Sequence, residues 1–257
     1  MAKGEIIIKT KKQIENIRKS GQYLNELLYL IKDNCKAGIT LMDLENIAQN
    51  FIDKNNLKWA FKWYNGFPAN LCLSVNDCVV HGIPDDYVLK NGDLLKVDCG
   101  IIYKWWVSDS AFAVVIWWEM ANPLAHELTI VTKNALDLAL EKVWPWKFSY
   151  DYSREVYNIV KNKWFNIIKS LTGHGVGVKV HEKPNIYNRP HPESKNIKFQ
   201  PWMVVCFEPI TAIESSEVVL KWDNNWNLYC KKWDIGSHWE YMVLITENGY
   251  EILSGIV

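Results

Sequence analysis

Apolar residues recur at three- and four-residue spacings in four stretches of the chain and cluster in short runs between them, so helices and strands alternate along it. Ile14, Ile17, Leu24, Leu28 and Ile31 share one face, which predicts a helix over residues 10–36, closed by Gly38. Thr40 with Asp43 three residues on has the form of a capping box, and Leu44, Ile47, Ala48 and Phe51 give the second helix its buried face. Asn122-Pro123 supplies an N-cap and a proline at the first helical position, opening a third helix to about Val143. A fourth is expected from Ser153 to Lys163. Leu71–Val75, Cys78–Val80 and 203–207 read as short strands, and 237–246 reads as one more. Helix pairs and strand sets fall in both halves, which suggests a duplicated α/β architecture without a visible residue-level repeat.

The most informative run is 94–115, LLKVDCGIIYKWWVSDSAFAVV. Residues 94–103 and 107–115 predict an antiparallel hairpin around Lys104-Trp105-Trp106. A turn centred near Tyr103 and Lys104 sets Asp98 directly opposite Asp109 on one face, where like charges repel. A divalent cation between them relieves that repulsion, because hard cations take carboxylate oxygens and two metals can share a bridging carboxylate. Aspartates that cap turns or face water are the plainer alternative.

Composition narrows the function classes. The 257 residues suffice for one large domain, taken here as 1–257, or two small ones. The 29 basic and 29 acidic side chains cancel, and no basic stripe marks a nucleic-acid partner. The start, MAKGEIIIKTKK, has no long apolar leader, and no 18-residue apolar run follows. Six scattered cysteines without a CxxC pair fit reduced thiols. A cytoplasmic protein is expected, and a monomer by default, since no heptads or apolar stripe stand out.

Further candidates sit at strand ends and glycine turns. His81 ends a strand just before Gly82 and Pro84, although lone histidines are more often structural. Thr172-Gly173-His174-Gly175-Val176-Gly177 reads as a tight loop around one histidine, lacks the phosphate-loop pattern, and is followed by His181-Glu182-Lys183-Pro184. Glu208 and Glu240 lie in apolar strands, where a glutamate is costly unless paired or coordinating. Two aspartates, one histidine and two glutamates suit two metals with a bridging hydroxide, which is amide-hydrolysis chemistry.

The segments YNGFPANLCLSVND, HGIP, KVDCG, SDSAF, TGHGVG, HEKP, FEPI and WEYMVLITENG resemble type I methionine aminopeptidases in order and spacing over nearly the whole chain. That resemblance implies an α+β pita-bread fold: two pseudo-symmetric αβ halves with a curved antiparallel sheet covered by helices. It implies a site for two divalent ions (cobalt, manganese, iron or zinc) in which Asp98 binds one metal, Asp109 and Glu240 bridge, and His174 and Glu208 complete the other. Glu208 would serve as base, and His81 and His181 would contact substrate and the tetrahedral intermediate. Phe61, Tyr64, Phe67, Cys72 and Trp226 would line the methionine pocket. The implied substrates are the N-terminal methionine peptides of nascent chains whose second residue is small, with the ribosome as a further partner. The zinc-binding N-terminal extension of some members is not expected here.

Two rival readings share the fold. Prolidase and aminopeptidase P use the same five-ligand set but carry an additional N-terminal domain. A binding protein that has lost catalysis is the other, and loss of ligands would be its mark. The chain also departs from the family. Glu240-Tyr241-Met242 stands where Glu-His-Thr is usual, which changes the packing behind the ligand. Fourteen tryptophans against thirteen glycines is out of proportion. Trp63, Trp105, Trp117, Trp146, Trp164, Trp202 and Trp233 stand where the family carries glycine, two of them after proline, as in a type II turn. These positions are expected to be glycine codons read under another genetic code; a protein with bulky surface turns is the alternative.

Overall fold

The structure, a computed structural model, describes residues 5–117, 119–221 and 224–257; of the amino-terminal stretch read for a leader, residues 1–4 lie outside these. The four expected helices are α1 (Lys11–Asn34), α2 (Leu41–Lys54), α3 (Pro123–Leu140) and α4 (Ser149–Asn162). Thr10 and Thr40 each close a capping box, and the Asn122 side chain accepts from the Ala125 N–H. The fourth helix starts four residues before the expected Ser153. Its N-cap, Phe148, makes no side-chain bond, and the Ser153 hydroxyl donates back to Ser149 C=O, so Ser153 lies in the helix interior.

All strand pairings described are antiparallel. Leu94–Tyr103 is the spine of one sheet, pairing Trp106–Val115 on one edge and Leu71–Val75 and Lys58–Trp59 on the other. A five-stranded sheet runs in the order Gly249–Ser254, Tyr241–Thr246, Val204–Phe207, Gly173–Gly175, Glu182–Ile186. Helix α1 lies across the hairpin and the Gly249–Ser254 strand, while α3 and α4 pack together on the other half. One bridge joins the two sheets: Glu240 N–H donates to Ala111 C=O at 3.0 Å, and Ala111 N–H to Glu240 C=O at 3.3 Å.

Three expectations need correction. The hairpin turns on Lys104-Trp105, both with positive φ (46° and 76°), and Tyr103 pairs with Trp106. Two-residue turns of this kind match the strand twist. The register therefore moves by two: Asp109 faces Gly100 and Asp98 faces Ala111. The aspartates stay on one face as diagonal neighbours. Gly173–Gly175 is a short strand inside the five-stranded sheet rather than a loop. Residues 237–246 are two strands, because His238 pairs with Ile210 in a three-stranded sheet while Tyr241 pairs with Phe207 in the five-stranded one.

Candidate metal centre

That change of sheet builds half of the site. Two neighbouring segments leave one sheet for another together, at Glu208-Pro209 and at Trp239-Glu240, so each places a glutamate in the gap. The hairpin brings Asp98 and Asp109 to the same gap, and the Ala111–Glu240 bridge fixes their distance from the glutamates. A cavity of about 210 Å³ is lined by His81, Asp98, Asp109, His174, His181, Glu208, His238 and Glu240. All five expected ligands and both auxiliary histidines thus meet in one place.

The local sequence explains the close approach. A Cβ on Gly173 would lie 2.2 Å from the Cys206 carbonyl oxygen, and one on Gly175 would lie 2.4 Å from that of Lys183. Only glycine lets the His174 strand slot between its neighbours. His174 Nδ1 lies 3.0 Å from Gly175 C=O, so Nδ1–H donates there and Nε2 keeps its lone pair for the cavity. Nε2 is 3.3 Å from a Glu208 oxygen and 4.0 Å from Asp109 Oδ2. His81 follows the Cys78–Val80 strand with φ 59°, a strained conformation that turns the ring toward the site. His181 Nδ1 is 3.2 Å from the Tyr64 hydroxyl, and its ring meets His174 edge-on at 4.4 Å.

Electrostatics show what the cavity lacks. Burial first, then neighbouring carboxylates (Glu240 and Asp98 acting on Asp109, Glu208 and Asp98 on Glu240), pushes the Asp109 and Glu240 carboxyls well above the usual range, and burial followed by the charge of Asp98 does the same to Glu208. Burial raises Asp98 to about 6. Burial lowers His81 to about 4 and His174 to about 3, and it lowers His181 as well, so the imidazoles are neutral. Asp98 Oδ1, Asp109 Oδ1 and Glu240 Oε1 are buried without a hydrogen-bond partner. Buried polar atoms are normally satisfied. Carboxylate oxygens and an imidazole nitrogen, short of positive charge and converging, are a donor set that fits divalent metal ions.

The expected pocket residues also gather. Phe61, Phe67 and Cys72 are buried in one apolar cluster, with Tyr64 and Trp226 packed against it. Cys72 pairs with Asp98 across the sheet, and Trp226 meets Phe67 edge-on at 5.2 Å and His81 at 6.3 Å, so the cluster borders the carboxylates.

Sequence reasoning missed three participants. His238 lines the cavity, two residues before Glu240. Cys206, two before Glu208, offers a sulfur that falls with Asp109, His174 and Glu240 donor atoms within 4.8 Å of one another. Same-face alternation along a strand was the available signal for both. Lys9 forms a buried ion pair with Glu182 at 2.5 Å, and nothing in the sequence links residues so far apart.

Comparison with known proteins agrees with this geometry. The model of metallopeptidase family M24 matches residues 15–247, and the chain belongs to that family. It is similar to the methionine aminopeptidase of Mycoplasma capricolum, 35% identical over 250 residues covering 97% of this chain and 98% of the relative. Among solved structures it is similar to methionine aminopeptidase from Thermotoga maritima, with a TM-score of 0.93, 32% identity, and 98% and 100% of the two chains covered. A prolidase from Pyrococcus furiosus shares the fold at a TM-score of 0.75 and 22% identity, and this chain spans 66% of its length.

Proposed function

We propose that this chain is a metal-dependent methionine aminopeptidase, hydrolysing the first peptide bond of N-terminal methionine peptides whose second residue is small. One observation carries the reading. Partnerless buried oxygens of Asp98, Asp109 and Glu240 share a cavity with His174, beside the apolar cluster of Phe61, Phe67 and Cys72. Asp98, Asp109, His174, Glu208 and Glu240 would hold two ions, with cobalt, manganese, iron and zinc all suited to the set. Bound metal supplies Lewis acidity and lowers the pKa of water.

The protein groups do the rest. Glu208, whose carboxylate lines the cavity within 3.3 Å of His174 Nε2, accepts the proton released by the attacking water. His181 takes a hydrogen bond from Tyr64 at Nδ1, leaving its Nε2–H for the developing oxyanion, and His81 stands beside it as a second neutral donor. Phe61, Tyr64, Phe67, Cys72 and Trp226 enclose the methionine side chain, which limits the first residue by size. Nascent chains are the natural source of such substrates. A cytoplasmic location near the ribosome follows, and six cysteines without a disulfide are in keeping with it. The monomer is the working unit in this reading.

Release of the first amino acid by the purified protein, methionine from Met-Ala-Ser and Met-Lys-Ser and alanine from Ala-Pro-Ser, with Mn²⁺, Co²⁺ or EDTA, tests it. Metal-dependent cleavage of Met-Ala-Ser alone is expected. Cleavage of Ala-Pro-Ser instead would move the chain to the proline peptidases, and no cleavage by folded, metal-loaded protein would favour a binding role.

A further inference from the structure

We infer that His238 is a further nitrogen ligand of the metal centre, an inference that rests on the metal-dependent reading above. His238 is 2% exposed, and neither ring nitrogen has a hydrogen-bond partner in the protein. Its Nε2 lies 3.6 Å from Glu208 Oε2 and 4.0 Å from Glu240 Oε2. Those separations are too long for hydrogen bonds. They are the spacings of donor atoms around one shared ion, because two ligands each about 2.1 Å from a metal are at most about 4.2 Å apart. The His174–Glu208 pair shows the same kind of spacing, 3.3 Å. The backbone holds the ring there: His238 ends a strand paired with Ile210, and the chain turns directly into Glu240. A second imidazole shifts the centre away from manganese and toward zinc, cobalt or iron.

Proton NMR of the Co²⁺-loaded protein counts ligated imidazoles, since each gives one strongly shifted exchangeable N–H signal. Two such signals are expected, with one lost in His238→Gln together with a weaker Co²⁺ affinity in chelator competition. A single signal, or two that both survive His238→Gln, overturns the inference while leaving the metal site intact. No shifted signal at all would overturn the metal-dependent reading itself. Should His238→Gln fail to fold, His81→Ala and His181→Ala decide: both signals persist in each if His238 is the ligand, and loss of one in either overturns it.

An independent observation supports a second inference: we propose that the native residue at seven tryptophan positions is glycine. Trp63, Trp105, Trp117, Trp146, Trp164, Trp202 and Trp233 all have φ between 60° and 80°. Among the described residues Trp59, Trp106, Trp144, Trp226 and Trp239 have no positive φ. Left-handed backbone is uncommon for any non-glycine residue and an outlier for a bulky one. Four of the seven sit where glycine has a recognised function: Trp105 in the second place of the hairpin turn, Trp164 just past the end of α4, Trp146 and Trp202 after proline. Six of the rings are 59% to 88% exposed. By contrast Trp239 is buried and donates to Thr129 Oγ1 at 2.8 Å, and Trp226 packs on Phe67. The codon UGA is read as tryptophan in some genetic codes and as glycine in others, and one misreading accounts for all seven.

Peptide sequencing by mass spectrometry of the protein from its own cells tests this. Glycine at 146 and 202, with tryptophan retained at 226 and 239, is expected. Tryptophan at 146 and 202 would overturn it.

Discussion

The pair Lys9 and Glu182 ties the start of the chain to the segment that carries His181, and replacing Lys9 by methionine isolates its effect. Both side chains are 1% exposed, with Lys9 Nζ 2.5 Å from Glu182 Oε2. Glu182 Oε1 accepts the N–H groups of Val178 and Lys179, at 2.5 and 2.9 Å, so the carboxylate organises the turn leading to His181. Lys9→Met keeps the apolar stem and leaves that carboxylate buried without its cation. Breaking a buried pair from one side costs about 3–5 kcal/mol, and the two backbone donors that remain favour the lower end. For a chain of this size each kcal/mol moves the melting temperature by about 2–4 °C, so a fall of about 6–20 °C is expected. Urea denaturation of wild type, Lys9→Met, Glu182→Gln and the double variant, all metal-loaded, measures it. The double variant should recover part of the loss, because no charge is stranded. A Lys9→Met cost below about 1 kcal/mol, the range of exposed pairs, would refute the reasoning.

Other predictions follow from the same groups. Raised carboxyl pKa values mean that the metal-free folded state holds protons that the unfolded chain releases, so these groups lower stability as pH rises from about 4 through their folded values, about 6 for Asp98. His81, His174 and His238, lowered to about 4, 3 and 4, act in the other direction: their contribution is present above about 6.5 and lost as pH falls. Above pH ~6.5 the carboxylates set the slope until Lys96, lowered by burial to about 8, begins to oppose them, so urea midpoints in EDTA should fall between pH ~6.5 and ~7.5 and level out when Mn²⁺ is added; a flat metal-free profile over that range would contradict the buried charge cluster. Gly175→Ala forces a Cβ to 2.4 Å from Lys183 C=O and should cost about 1–3 kcal/mol and weaken metal binding by displacing His174, as calorimetric titration would show. Tyr64→Phe removes the hydroxyl 3.2 Å from His181 and should lower kcat/KM about 2- to 12-fold with little change in stability.

Helix boundaries were legible because capping is local: Thr10, Thr40 and Asn122 each announce a start within four residues. Ser149 gave no such signal, since α4 begins where Phe148 bridges Lys198 rather than at a side-chain cap. The five carboxylate and histidine positions were visible as polar residues in apolar runs. The hairpin register was not, because it depends on both Lys104 and Trp105 taking positive φ, which residue types alone argue against. His238 and Cys206 escaped although each lies two residues before a candidate glutamate, because same-face alternation does not say which face meets the gap until the changes of sheet at 208–209 and 239–240 are known. The long-range pair Lys9–Glu182 is a product of the packed fold.

The central claim is that Asp98, Asp109, His174, Glu208 and Glu240 form one divalent-metal centre. Anomalous diffraction at the metal edge from crystals of the Mn²⁺- or Co²⁺-loaded protein tests it most directly. Peaks between the Asp98/Asp109 hairpin and Glu208/Glu240, absent in Asp109→Asn crystals, are predicted. Ordered metal elsewhere on the molecule with this cavity empty of anomalous signal would contradict the account.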